Sequence, residues 1–181
     1  MKSKMKFIEK IYNPDNLIDD DITETTTRAR GIIINSQAEI LLCYSNGLSH
    51  YEFPGGHLNE NETLLEGLKR EVLEETGIEL ENKYISPFYV IKYYCKNYCE
   101  TKKNRLVEIY YFIVMTDQHY NLDNLRLDQQ ELNEEYECIY IPTEKLKTTL
   151  LENKKMTKEN NTALDDMLLV WDEYLRKFNG E

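Results

Sequence analysis

The 181 residues carry 22 Lys and Arg against 33 Asp and Glu, a formal net charge of -11. That length supports one domain with its own core and is short for two, and the acidic balance excludes a nucleic-acid backbone, DNA included, as the default partner, because such binding relies on clustered Lys and Arg. No stretch approaches the roughly eighteen apolar residues of a membrane span, and the basic start MKSKMKFIEKIY lacks the apolar centre of a signal peptide. The expectation is therefore a cytoplasmic protein without a membrane partner.

Residues 1–27 contain Asn13-Pro14-Asp15-Asn16 and the acidic run Asp19-Asp20-Asp21 with few apolar positions, which suggests a turn-rich N-terminal arm. Such an arm could cross a dimer partner, so a homodimer stays open. Residues 28–34, RARGIII, and 38–44, AEILLCY, form near-continuous apolar runs, the mark of two buried strands in a hairpin across 35–37. Arg28 and Arg30 alternate onto one face of the first strand, available either to a substrate phosphate or to the many acids. A further short strand, 50–53, leads into Pro54-Gly55-Gly56, where paired glycines let the backbone approach a ligand that a side chain would block.

Thr63 followed three residues later by Glu66 is a capping-box signature, so a helix starts there and runs to Gly77, about four turns on. Leu65, Leu68 and Val72 share one stripe, while Glu71, Glu74 and Glu75, at i, i+3 and i+4, share a neighbouring arc. Three like charges near a helix C-terminus repel one another and oppose the macrodipole. A hard cation such as Mg2+ or Mn2+, which takes carboxylate oxygens, offsets that most directly. Arg70, four residues before Glu74, can pair with that carboxylate and hold its rotamer. Glu62, at the junction of loop and helix, reads as orienting the loop.

Beyond the helix, residues 84–98 and 106–115, LVEIYYFIVM, predict a long aromatic hairpin around a basic turn. Its Tyr89, Tyr93 and Tyr94 could stack on a nucleobase or pack against cross-strand neighbours. A polar connection, 117–135, leads to a strand at 136–141, and Pro142 opens a short helix. From residue 161, Leu164, Met167, Leu168, Trp171, Leu175 and Phe178 recur at helical spacing, as in a core-packing or dimer helix. Cys43, Cys95, Cys99 and Cys138 are scattered without zinc-site spacing and read as reduced structural thiols. Strands on either side of one internal helix, with another at the end, indicate an α/β protein with a mixed sheet.

From Gly56 the pattern runs Gly, five residues, Glu62, seven residues, Arg70-Glu71-Val72, a free position, Glu74-Glu75, a free position, Gly77 and Ile78. This is a complete Nudix box, and by it the chain resembles the Nudix hydrolases from about residue 28 to 151. The resemblance implies an α/β/α sandwich with a mixed β-sheet, a single domain over residues 28–181, and metal-dependent hydrolysis of a pyrophosphate linkage in a nucleotide, nucleotide sugar or dinucleoside polyphosphate. It implies Mg2+ or Mn2+ on Glu71, Glu74, Glu75 and the Gly56 carbonyl, with Arg70 in support. It leaves Glu71, Glu134 and Glu135 open as the general base, and Arg28, Arg30, Tyr89 and Tyr94 as candidate substrate contacts. Two rival functions are a Nudix domain that senses a nucleotide without cleaving it, against which the intact box speaks, and removal of pyrophosphate from RNA 5′ ends, against which the acidic charge speaks.

Overall fold

The computed structural model describes residues 5–45, 49–99, 102–121, 136–157 and 162–180. Its strands are β1 (Ile8–Tyr12), β2 (Glu24–Ile34), β3 (Glu39–Ser45), β4 (His50–Glu52), β5 (Gly55–His57), β6 (Ile85–Tyr98), β7 (Lys103–Met115) and β8 (Tyr136–Pro142). Helices α1 (Leu64–Thr76), α2 (Leu146–Met156) and α3 (Thr162–Phe178) cover the two faces of the sheet. The order along the sheet is β1-β6-β7-β2-β3-β4, with β5 on β2 and β8 on β3, and parallel and antiparallel pairs are both present. This is the mixed-sheet α/β/α sandwich that the resemblance implies.

Period-two alternation along β2 and β7 assigns the two cores. Ile32 and Ile34 of β2, with Ile109, Tyr111 and Ile113 of β7, face Leu164, Met167, Val170 and Trp171 of α3 and Leu146 and Leu150 of α2. Ala29 and Ile33, with Phe112 and Val114, face Leu68 and Val72 of α1. Fully burying each such aliphatic or aromatic chain contributes about 1.5–3 kcal/mol, so both faces of β2 and β7 must be covered. Trp171 and Tyr174 stack at 4.7 Å, which places the apolar stripe of α3 in the core of this chain, while Phe178 at its end is exposed.

Two pairings differ from the sequence expectation. The segment expected as an N-terminal arm contributes β1, which adds in parallel to the edge of β6 from Ile8↔Tyr89 to Tyr12↔Tyr93, and β2 begins at Glu24 rather than at residue 28. Strand β2 also shares only Ile34↔Ile40 with its expected hairpin partner β3. Its full-length partner is β7, parallel from Glu24↔Arg105 to Ile34↔Met115, while β3 pairs throughout with β8. The sheet therefore opens between β2 and β3. The glycine loop enters that opening as β5, antiparallel to β2 at Arg28↔His57, Ala29↔Gly56 and Arg30↔Gly55.

Candidate active site

The capping box predicted at Thr63 phases the acidic helix. The Thr63 hydroxyl accepts from the Glu66 amide, and the Glu66 carboxylate accepts from the Thr63 amide at 2.9 Å. The helix ends at Gly77 in the left-handed conformation, φ 71°.

Arg70 commits all of its N–H groups around this helix. Its Nε and Nη2 donate to the two oxygens of Glu62 at 2.7 and 2.9 Å, Nη2 also donates to the His57 carbonyl at 2.9 Å, and Nη1 donates to Glu71 at 2.8 Å and Glu74 at 3.0 Å. The rigid guanidinium fork suits this arrangement, which a lysine could not reproduce. The hydrogen bonds from Arg70 hold the Glu62 carboxyl down to about 2, so Glu62 stays ionised and ties the loop to the helix.

Glu71 reaches across to β5. A Cβ added at Gly56 would stand 2.5 Å from Glu71 Oε2, so the glycine leaves the space that the carboxylate fills. Gly55 is held differently: at φ 132°, a Cβ there would stand 2.2 Å from the Ala29 carbonyl oxygen. Gly56→Ala is thus expected to displace the flexible Glu71 carboxylate while leaving the fold intact. Mn2+ affinity measured by calorimetry should fall on the order of 10-fold or more, with the urea midpoint unchanged.

Glu75 is half-buried and accepts from the Gly55 amide at 2.7 Å. Burial pushes its carboxyl up to about 8, against the opposing pull of Arg30 and that amide. Among the described residues no three acidic, imidazole or thiol side chains already surround one point as a metal cage. Glu71 and Glu74 are instead drawn together by Arg70, with Glu75 one position further along the same arc. An all-oxygen set beside a backbone held open by Gly56 fits a hard divalent cation. Glu134 and Glu135 lie outside the described residues.

The remaining predicted contacts separate. Arg30 is buried, donating to the Phe53 carbonyl at 2.7 Å and to Glu52 at 2.8 Å. Burial opposes ionisation of Glu52, but Arg30 and His50 outweigh it and hold that carboxyl at about 2. Tyr89 is buried in the core beside Phe88, and Tyr94 donates to Asp19 at 2.8 Å. Arg28 faces a cavity and donates its Nε to His57 Nε2 at 3.0 Å.

That cavity, about 370 Å3, lies on the α3 face of the sheet and is lined by Arg28, His57, Tyr93, Tyr98, Arg105 and Asp166, with Val107 and Ile109 among the apolar positions. Tyr93 stacks on Tyr12 at 4.9 Å and donates its hydroxyl to Asp166, while Arg105 lies over the Tyr98 ring at 4.2 Å. Sequence reasoning missed His57, Tyr98, Arg105 and Asp166. Asp166 had a signal: it interrupts the stripe Ala163, Met167, Val170, Trp171 at i, i+3, i+4 spacing with a carboxylate. The two halves of the site meet at β5, whose Gly56 adjoins Glu71 and whose next residue, His57, lines the cavity.

Comparison with known proteins supports the same framework. An 8-oxo-dGTP diphosphatase from Buchnera aphidicola subsp. Schizaphis graminum (strain Sg) is 36% identical over 67 residues, 37% of this chain, and the match spans 43% of that relative's length. A MutT structure from work on Aliivibrio salmonicida and Vibrio cholerae aligns with a TM-score of 0.55 and 18% identity, covering 83% of this chain and 99% of that one. A NUDIX hydrolase from Nitrosomonas europaea aligns with a TM-score of 0.55 and 15% identity, covering 85% and 90%. These structural likenesses show a shared fold. The NUDIX domain family matches residues 25–164, and with the complete box on α1 the chain belongs to the Nudix hydrolase family.

Proposed function

We propose that the chain is a metal-dependent pyrophosphohydrolase that cleaves a nucleoside diphosphate linked to a further group. The observation that carries this reading is the Glu71 carboxylate lying against Gly56 while Arg70 ties it to Glu74. A Mg2+ or Mn2+ ion held by Glu71, Glu74, Glu75 and the Gly56 carbonyl would polarise phosphoryl oxygens and lower the pKa of bound water. Arg70 aligns two of those carboxylates in advance, so little side-chain ordering is left for substrate binding. Glu71, Glu134 and Glu135 are the candidates to take the proton from water.

The 8-oxo-dGTP diphosphatase relative supports a nucleotide substrate. No described helix is long and apolar enough to cross a membrane. The test is release of nucleoside monophosphate or phosphate from nucleoside triphosphates, ADP-ribose, diadenosine polyphosphates and sugar nucleotides, with Mg2+ or Mn2+ and with chelator. Cleavage of at least one compound, lost on chelation, is the expected result. Binding of the panel without cleavage of any member would overturn it in favour of a nucleotide sensor.

A further inference from the structure

Cys43 of β3 and Cys138 of β8 stand directly opposite one another in the antiparallel ladder, with their sulfurs 3.3 Å apart. Both are buried, in the core that packs against Leu68 and Val72 of α1. Side chains opposite each other in such a ladder have Cβ atoms about 4.5–5.5 Å apart, and a disulfide asks for about 3.5–4.5 Å. A small approach of the two strands therefore closes the bond.

The reduced pair also serves the acidic helix. The last four carbonyls of a helix lack partners within it. In α1 the Leu73 carbonyl accepts from the Gly77 amide at 2.9 Å and the Thr76 carbonyl from the Asn121 amide at 2.8 Å. The Glu75 carbonyl accepts from the Cys138 thiol at 3.6 Å. That contact uses the Cys138 proton, so the proton between the two sulfurs is that of Cys43. Oxidation removes both protons, and the Glu75 carbonyl loses its donor where an unpaired acceptor is costly.

We propose that Cys43 and Cys138 are a reversible redox pair whose disulfide withdraws the thiol from the Glu75 carbonyl, loosens the last turn of α1 and weakens metal binding. The oxidant is a hydroperoxide. With hydrogen peroxide, the Cys138 sulfur takes up one oxygen as a sulfenic acid and one water leaves; the Cys43 sulfur then displaces the hydroxyl, and a second water leaves. The two thiols give up two hydrogens and two electrons, and the peroxide is reduced to water. Cys138 reacts first because, among the described residues, β8 pairs with β3 alone, and an edge strand opens more readily than an inner one. In a reducing compartment the pair rests as thiols, and a disulfide formed there is transient, as in a sensor. The effect on the metal rests on the assignment of Glu75 to the cation above; the effect on the helix does not.

The test is treatment of the full chain with hydrogen peroxide in chelator, removal of the peroxide with catalase, and peptide mapping without reductant. The peptides carrying Cys43 and Cys138 should be joined. Hydrogen exchange, still in chelator, should be about 10-fold faster at the amides of residues 75–77 in the oxidised chain. A cross-link between positions 95 residues apart restricts the unfolded chain, so the urea midpoint should rise at the same time. Non-specific oxidative damage would lower both. Mn2+ affinity measured by calorimetry should fall about 10-fold, and dithiothreitol should restore every reading.

Cys138→Ser keeps a donor for the Glu75 carbonyl but cannot form the bond, so its Mn2+ affinity should match that of the reduced wild type before and after peroxide. Absence of the joined peptides, or joined peptides with exchange at residues 75–77 unchanged, would overturn the inference on the wild-type chain alone. A dithiothreitol-reversible change in exchange without cleavage of any nucleotide in either state would leave the redox pair standing and overturn the hydrolase reading. Metal-dependent cleavage at the same rate in the thiol and disulfide states would do the reverse.

Discussion

Glu71→Gln is expected to lower metal-dependent turnover by at least about 100-fold, ~2.7 kcal/mol of barrier, with the unfolding midpoint unchanged or slightly raised. The substitution keeps the volume beside Gly56; its amide oxygen can still accept from Arg70, as Glu71 Oε1 does at 2.8 Å, which turns the amide nitrogen, unable to ligate a cation, to the Oε2 position beside Gly56. Removing one of the two carboxylate charges that Arg70 draws together relieves repulsion between Glu71 and Glu74, so stability does not fall with activity. Single-turnover rates at saturating Mg2+, measured with urea midpoints on the same samples, separate the two effects. A variant that retains a tenth or more of wild-type turnover would remove Glu71 from the reaction.

Arg30→Met is expected to destabilise the fold by about 3 kcal/mol, because it removes the buried guanidinium and leaves the largely enclosed Glu52 carboxylate with only His50 beside it. Arg30→Met combined with Glu52→Gln should recover part of that loss, since the carboxylate that has lost its guanidinium is removed with it. The pair also sets an acid limit. The Glu52 carboxyl titrates near 2 in the folded chain against an ordinary value of 4.5, so its contribution is complete above about pH 4.5 and is lost as pH falls toward 2. Urea midpoints between pH 7 and 2.5 should decline over that window in the wild type and less steeply in Glu52→Gln. Equal slopes would show that the pair does not govern acid stability.

The contrast between these two arginines and Arg70 shows what was legible in the sequence. The geometry around α1 is local: Thr63, Glu66, Arg70, Glu71, Glu74 and Glu75 lie within four turns of one helix, so helical spacing alone brings Arg70 to Glu74 at 3.0 Å. The alternation that puts Arg28 and Arg30 on one face of β2 was equally readable. Their different partners were not, because these depend on β5 lying antiparallel to β2 and on β4 presenting Glu52, contacts set by tertiary packing. The tyrosines of β6 follow the same division. Period two separates Tyr94 from Tyr93, but only the positions of Asp19 and Asp166 reveal what each hydroxyl meets. Strand β1 was missed because its two exposed charged residues, Glu9 and Lys10, make an edge strand resemble a polar arm.

The parallel pairing of β2 with β7 also orders events during synthesis. Arg105, Ile109 and Met115 must emerge before Glu24, Arg28 and Ile34 can find their register, a loop closure across about eighty residues. A nascent chain that ends at residue 80 contains the whole acidic helix, with its capping box and Arg70 fork, but no partner on the β7 side of β2. The β6–β7 hairpin, paired out to Tyr98↔Lys103, can close locally, after which β2 docks along it and β5 is held in place. The carboxylates are therefore ready early, while the strand that aims Gly56 at them is positioned late, and a ribosome-bound fragment would carry the chemical groups of the site without its geometry.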